Sequence, residues 1–386
     1  MRVFILAMKY LPASGGTATY AHNLAQGLAR MGHDVLLVSP DYARPQSDDG
    51  LPYRVIRLSQ ARLGLGQFRI FLTAYHTKKI LNNFNPDVIW ASTYAGCRVL
   101  GLLRLRIPTV GTIHGGGIQR AFSSLNPIKR CTDHAGWRFM RRASAMITVS
   151  EEAKKLVCSA IQDTLIQSKF RVIYNGIDFD PSSVVSKKEA LSRWPQFEGR
   201  IILLTVGRLV KAKGHDVVIR ALPEIQKRVP NILYVIAGEG VEKEQLINLV
   251  ESLSLKNSVH FTGYITPTGL EELYAISDLF VLAGRWTPTF VEGFGLVLVE
   301  AAIRGKPVIG ARIGGIPEAI EDGVSGIVIE PEDPSQVAKA VMDILSDQNL
   351  YDRMAKAGPV WVNLHFTQAI MARNIDQLLC YITGKS

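Results

Sequence analysis

Short apolar runs rich in β-branched residues alternate along the chain with longer amphipathic stretches. Residues 3–7, 35–39, 88–91, 109–113 and 145–149 read as buried strands, and 20–31, 68–84 and 94–103 as helices between them. Alternation of this kind builds βαβ units on a parallel sheet. The rhythm restarts after residue 180. There 201–206, 232–237, 259–261, 279–282, 307–310 and 326–329 read as strands, and 212–228, 242–253, 296–304 and 334–345 as helices. Residues 175–186 are polar, carry a proline and read as the linker. The pattern predicts an α/β protein with two doubly wound, Rossmann-like domains facing a central cleft. The first covers 1–180 and the second 181–366, and a last helix within 367–386 crosses back to the first. Ligands of such sheets bind beyond the carboxyl ends of the strands.

Composition narrows the class. With 386 residues, 47% hydrophobic and 20% charged, the chain can bury more than one core, and disorder is excluded. Cys97, Cys131, Cys158 and Cys380 are scattered with no C-x-x-C pair. That argues against a zinc site or a disulfide framework and for a reducing compartment. No apolar run approaches the ~20 residues that span a bilayer. The opening run is broken by Lys9 and reads as a strand, not a signal peptide. A cytoplasmic location is expected, with peripheral contact at the inner face of the membrane.

Charge is uneven. Residues 1–180 hold 23 Lys/Arg against 11 Asp/Glu, whereas the rest hold 21 against 23. A basic first half points to an anionic membrane or an anionic acceptor as its partner. Arg98, Arg104 and Arg106 flank an apolar stretch, and Arg138, Arg141 and Arg142 follow Trp137, which suits an anionic bilayer surface. No motif that reads RNA or DNA is present, so nucleic acid is not expected.

The strongest chemical signal is Glu292-Gly293-Phe294-Gly295-Leu296-Val297-Leu298-Val299-Glu300. Two carboxylates bracket glycines between a strand and a helix. Glycine lets backbone approach a ligand, and a helix N-terminus favours phosphate. With the amides of residues 294–297 opening that helix, Glu300 stands roughly two turns in. Gly207-Arg208 and Lys213-Gly214 follow the first strand of the second domain. A guanidinium fork with an ammonium suits a diphosphate. Gly15-Gly16 follows the first strand of the chain, and His114 ends a strand beside Gly115-Gly116-Gly117. Asp178-Phe179-Asp180 looks like a metal-binding pair, but its place after Asn175-Gly176 suits a turn better.

Together these residues resemble the retaining glycosyltransferases of family 4, which have the GT-B fold. Gly15-Gly16, Gly32-His33-Asp34-Val35, His114-Gly115, Val149-Ser150, Asn175-Gly176-Ile177-Asp178, Gly207-Arg208, Lys213-Gly214, Gly238-Glu239-Gly240 and Glu292 to Glu300 fall in the family's order at family-like spacing. The resemblance implies that Arg208 and Lys213 hold the donor diphosphate and that Glu300 binds the ribose. It implies that Glu292, with the amides that follow it, holds hydroxyls of the transferred sugar, and that His114 sits near the sugar's far side. Gly263, Tyr264 and Ile265 would present backbone to the base. Residues 285–290 replace shorter Ser- and Pro-containing segments and are expected to shape sugar or acceptor choice.

The implied reaction moves a hexose, with retention, from a UDP- or GDP-sugar to an acceptor that is lipid-linked or anionic. Cationic side chains serve the diphosphate, so no metal and no cofactor is expected. Two alternatives share the architecture: a nucleotide-sugar 2-epimerase, and a catalytically silent carbohydrate-binding subunit.

Overall fold

The computed structural model describes residues 1–13, 15–40, 48–58, 68–115, 126–288 and 290–385. The chain divides into two compact units, residues 1–176 with 368–386, and residues 177–367.

In the first unit lie strands β1 (Arg2–Leu6), β2 (Asp34–Pro40), β3 (Arg54–Leu58), β4 (Val88–Ala91), β5 (Thr109–Ile113), β6 (Ala145–Thr148) and β7 (Phe170–Val172). They form one sheet in the order β3-β2-β1-β4-β5-β6-β7, with every pair parallel. Helices α1 (Gly16–Arg30), α2 (Arg69–Phe84), α3 (Tyr94–Leu100), α4 (Pro127–Arg142), α5 (Glu151–Ala160) and α6 (Thr164–Gln167) connect them. Val3, Phe4, Ile5 and Leu6 are all fully buried, as expected of a parallel strand covered on both faces.

The second unit has strands β8 (Ile201–Val206), β9 (Ile232–Ala237), β10 (Val259–Gly263), β11 (Leu279–Leu282), β12 (Val308–Ala311) and β13 (Gly326–Ile329). Their order is β10-β9-β8-β11-β12-β13, again all parallel. Its helices are α7 (Lys187–Arg193), α8 (His215–Gln226), α9 (Lys243–Ser252), α10 (Pro267–Ile276), α11 (Leu296–Ile303), α12 (Pro334–Ser346) and α13 (Gln348–His365). The last helix, α14 (Gln368–Thr383), belongs to the first unit.

In each sheet the chain winds outward from a central strand and then crosses to its other side. The reversal falls between β1 and β4 in the first unit and between β8 and β11 in the second. Loops leaving the carboxyl ends of those strands diverge there and leave a crevice.

Helix α14 is held to α1 at close range. A Cβ on Gly27 would lie 2.9 Å from the Cβ of Ala372, so a larger residue would push the helices apart. Arg30 donates to Gln368 at 2.7 Å, and His33 meets Asp376 at 2.9 Å.

Several elements differ from the sequence pattern. β3 is an edge strand in which Arg54 and Ile56 are exposed and only Leu58 is buried, and β7 has three residues, so neither forms a continuous apolar run. α1 begins four residues earlier than expected and takes in Gly16. α8 begins at His215 because residues 211–213 form a separate 3-10 turn closed by Gly214 at φ 69°.

Candidate active site

The loop leaving β8 is fixed by contacts at its back. Gly214 abuts the end of β11: a Cβ there would fall 1.7 Å from the Ala283 carbonyl oxygen, and φ is +69°. Only glycine fits. The Arg285 amide donates to the Ala212 carbonyl at 3.0 Å, and the buried Arg285 guanidinium meets Asp216 at 2.7 Å. Arg285 therefore ties the loops after β8 and β11 together. Beyond it Trp286 stands half exposed, and Thr287 and Phe290 exchange backbone hydrogen bonds in a tight turn.

These contacts set Lys213 against Glu292. Nζ and Oε2 are 2.6 Å apart, with side chains only 12% and 14% exposed. Arg208 is exposed, its guanidinium 5.8 Å from the centre of the Phe290 ring, within cation–π range. Two cations and a carboxylate thus collect at the point where the second sheet reverses its winding.

Glu292 leads into α11. Gly295, at φ 86°, caps the helix, and the first helical residue is Leu296. Residues 293 and 294 thus precede the helix, and the first-turn amides belong to Leu296 and Val297. First-turn N–H groups lack helical partners and favour an anion. Phe294 is buried, its ring edge-on to Phe366 with centroids 5.1 Å apart, which anchors the turn. Glu300 is then the fifth helical residue, little more than one turn in, where the sequence suggested two.

Glu300 has surroundings unlike those of Glu292. Its Oε2 accepts from the Tyr274 hydroxyl at 3.0 Å, and Arg304 donates to its carbonyl at 2.6 Å. The Arg304 guanidinium lies between the rings of Tyr274 and Phe179, at 4.8 and 4.9 Å. Burial pushes the Glu300 carboxyl above its usual range, opposed by the Tyr274 hydroxyl and then by Arg304. Gly263, at φ 71°, ends β10 and is buried, while Tyr264 beside it is 67% exposed and Ile265 partly buried. A Cβ on Gly263 would lie 2.7 Å from Glu239 Oε1, so that carboxylate rests against this loop.

In the first unit, His114 follows β5. Its Nε2 donates to the Ser92 carbonyl at 2.8 Å, which leaves Nδ1 as the acceptor of a neutral ring. The ring of Tyr20, one turn along α1 from Gly16, meets it edge-on at 4.6 Å. Burial pushes the His114 ring down to about 4. Gly15, at φ 119°, precedes α1 as its cap residue. Gly116 and Gly117 lie outside the described residues.

Asp180 accepts from the amide and hydroxyl of Ser182, both at 2.8 Å, and so caps a short 3-10 turn. Among the described residues no group of three or more His, Cys, Asp or Glu is placed to hold a metal ion.

The basic residues of the first unit divide. Arg98 does not face outward: its guanidinium meets the buried Asp133 at 3.1 Å, with only 21% of its side chain exposed. Leu102, Leu103 and Trp137 pack against the core of the unit. Arg104, Arg106, Arg138, Arg141 and Arg142 remain exposed, and Arg141 pairs with Asp163 at 3.1 Å. Among the described residues no helix is long and apolar enough to cross a membrane.

Arg208, Lys213 and Glu292 thus stand together in the second unit, with Glu300 further along the same segment. His114, Gly15 and Gly16 belong to the first unit. Tyr274 was not singled out from the sequence, whereas Phe290 falls in the stretch 285–290 expected to shape sugar or acceptor choice. Tyr274 sits in a helix whose apolar periodicity went unread, and its link to Glu300 joins residues 26 apart.

Comparison with known proteins gives a consistent picture. Residues 14–181 match the family described as Glycosyltransferase Family 4, and residues 186–361 match Glycosyl transferases group 1. An uncharacterized glycosyltransferase of Methanocaldococcus jannaschii is 31% identical over 362 residues, covering 90% of each chain. A GDP-mannose-dependent alpha-(1-6)-phosphatidylinositol monomannoside mannosyltransferase of Mycolicibacterium smegmatis is 28% identical, covering 93% of each. Among solved structures, Anabaena HepE in complex with UDP-glucose superposes with a TM-score of 0.77 at 21% identity, over 99% of this chain and 100% of that one.

Proposed function

Because the chain belongs to the family 4 glycosyltransferases of GT-B fold, we propose that it moves a hexose, with retention of anomeric configuration, from a UDP- or GDP-sugar to an acceptor. The observation that carries this reading is the meeting of Lys213 and Glu292, beside Arg208, at the winding reversal of the second sheet.

Breaking the anomeric C–O bond builds positive charge on the sugar and negative charge on the leaving diphosphate. Arg208 and Lys213 take up the negative charge, together with the first-turn amides of α11. Electrostatic stabilisation of this kind is the largest expected catalytic contribution. It needs no metal. Glu292 accepts hydrogen bonds from hydroxyls of the transferred sugar, and Glu300 from the ribose. Backbone at Gly263, Tyr264 and Ile265 meets the base. His114 stays neutral at physiological pH and offers Nδ1 as an acceptor to a sugar hydroxyl, not as an acid. The acceptor oxygen attacks the face that the diphosphate leaves, and a phosphate oxygen receives its proton.

The donor base is left between uracil and guanine. The mycobacterial relative is GDP-mannose-dependent, whereas HepE was solved with UDP-glucose. The acceptor is assigned to an anionic membrane lipid, approached along the exposed arginines of α4. A thermal-shift screen over UDP-, GDP- and ADP-sugars tests the reading, since a ligand that binds the native state raises its stability. One UDP- or GDP-sugar should shift the midpoint by several degrees. No shift with any of them would remove the donor assignment.

A further inference from the structure

A buried polar chain runs through the second unit to the back of the phosphate loop. Thr205 on β8 donates to the Val281 carbonyl of β11 at 2.5 Å. The Tyr234 hydroxyl on β9 lies 2.9 Å from Thr205 Oγ1 and 3.1 Å from His215 Nδ1. His215 Nε2 then reaches the Arg208 carbonyl at 3.3 Å. Thr205, Tyr234 and His215 are each no more than 2% exposed.

Such a chain is not explained by packing. Apolar side chains of the same volume would fill the space without polar atoms to satisfy, and a part-satisfied buried network is unfavourable. Its outer end is the one place where it touches functional backbone. A carbonyl only accepts, so Nε2 donates to Arg208 and Thr205 donates to Val281; Tyr234 gives its one proton to Thr205, and the neutral ring therefore packs against the Tyr234 oxygen at Nδ1 without taking a proton from it. Arg208 itself is exposed and hangs on a loop with no helix or strand of its own. The loop is also gripped from the other side, where the Leu209 amide donates to Glu239 at 3.0 Å. The carbonyl of Arg208 is the point at which the sheet can set the direction of its guanidinium.

We propose that His215 is a positioning residue: buried against Tyr234, it holds the Arg208 carbonyl through Nε2–H so that the guanidinium is ready to meet the donor diphosphate. The inference rests on the reading of Arg208 as a diphosphate ligand. His215 touches no substrate and acts only through Arg208. A site held ready before binding loses less freedom when the ligand arrives.

The test is a double-mutant cycle read by calorimetric titration with UDP and GDP. His215→Phe keeps the ring volume and removes the hydrogen bond to the Arg208 carbonyl. It should weaken nucleotide binding about tenfold, the scale of one hydrogen bond. His215→Gln restores an N–H near the Nε2 position and should recover most of the loss. In an Arg208→Ala background, His215→Phe should cost almost nothing further, because interacting residues are not additive. A purely structural histidine would lower the melting temperature and leave the affinity of the folded protein unchanged. Should His215→Phe not fold, His215→Met, flexible enough to fill the same space, removes the same hydrogen bond and should weaken binding in the same sense. Wild-type affinity in a folded His215→Phe, or an undiminished loss on top of Arg208→Ala, overturns the inference alone. Wild-type affinity in Arg208→Ala by itself removes the diphosphate reading of Arg208 and this inference with it.

Discussion

Lys213 and Glu292, 79 residues apart in sequence, meet at 2.6 Å across the loops that leave β8 and β11. The two residues assigned to the diphosphate and to the sugar are therefore in direct contact with each other. Breaking a shielded pair strands whichever charge is left, whereas a donor can engage both partners at once.

Replacing Glu292 by Gln releases Lys213 while keeping the shape of the side chain. Turnover should fall by about 10²-fold or more, because contacts to the reacting sugar strengthen in the transition state. Binding of UDP or GDP alone should be unchanged or tighter, since Lys213 no longer has a competing carboxylate. Glu300→Gln should act differently, raising KM more than it lowers kcat, as loss of uniform binding does. Steady-state kinetics with both variants decide the matter. Equal losses in kcat would contradict the separate roles.

Lys213→Ala removes the ammonium and leaves Glu292 part-buried without it. We expect kcat/KM to fall by about 10²-fold, comparable to removing one strong electrostatic donor. Stability should drop by about 1–3 kcal/mol, the cost of a shielded polar group without its partner. Circular dichroism should stay native. A variant with wild-type kcat/KM would take Lys213 out of the site.

How much of this was legible depends on where each residue's partners lie. The strands of the second unit read almost to the residue, because β9 and β11 are unbroken runs of apolar and aromatic residues, and β8 is interrupted only by Thr205. The strand β3, Arg-Val-Ile-Arg-Leu, has the alternating character of an edge and was passed over. Arg208, Lys213 and Glu292 were visible one by one as residues after strands. The direct contact of Lys213 with Glu292 was not, because it depends on β8 and β11 being neighbours in the sheet. The same holds for Tyr234 and His215, which meet at 3.1 Å through the core. Arg98 illustrates the opposite error. It was grouped with Arg104 and Arg106, which are exposed, but its neighbour in space is the buried Asp133.

Acid should destabilise the second unit through His215. Burial holds this ring at about 4, with the Arg208 carbonyl opposing, Lys213 lowering it further and Asp216 raising it. An unfolded histidine titrates near ~6.5, so between about pH 6.5 and 4 the unfolded chain takes a proton that the folded one refuses. Stability from this group is complete above that window and falls as pH is lowered through it. The loss between pH 7 and pH 5 is about 2 kcal/mol. Urea unfolding at the two pH values measures it, and His215→Phe should shrink the difference by that amount. An unchanged difference would mean that His215 is already protonated in the fold.

Metal removal should leave activity intact. The charge of the diphosphate is assigned to Arg208, Lys213 and helix amides, and Asp180 is engaged in capping its own turn. Assays after exhaustive EDTA treatment should give the untreated rate. Loss of activity restored by magnesium or manganese would overturn the assignment and return Asp178 and Asp180 to consideration.

The exposed arginines of the first unit predict where the acceptor is met. Arg138, Arg141 and Arg142 end α4, and Arg104 and Arg106 are exposed on the loop before β5. The apolar residues beside them, Leu102, Leu103 and Trp137, are packed against the core and are not available to insert into lipid. Attachment should therefore be electrostatic, at roughly 1 kcal/mol per charge near the surface, and sensitive to salt. Sedimentation with vesicles containing phosphatidylglycerol should carry the protein down at low ionic strength and release it at ~0.5 M salt, where the screening length falls to a few ångströms. Neutral phosphatidylcholine vesicles should not bind it. Because Arg98 is turned inward, Arg98→Gln should bind vesicles like wild type if it folds, whereas Arg138→Gln with Arg142→Gln should bind several-fold less. Binding that survives high salt would point to apolar insertion that the packing of Trp137 does not allow. No binding at any ionic strength would leave an anionic soluble acceptor as the explanation for the basic first unit.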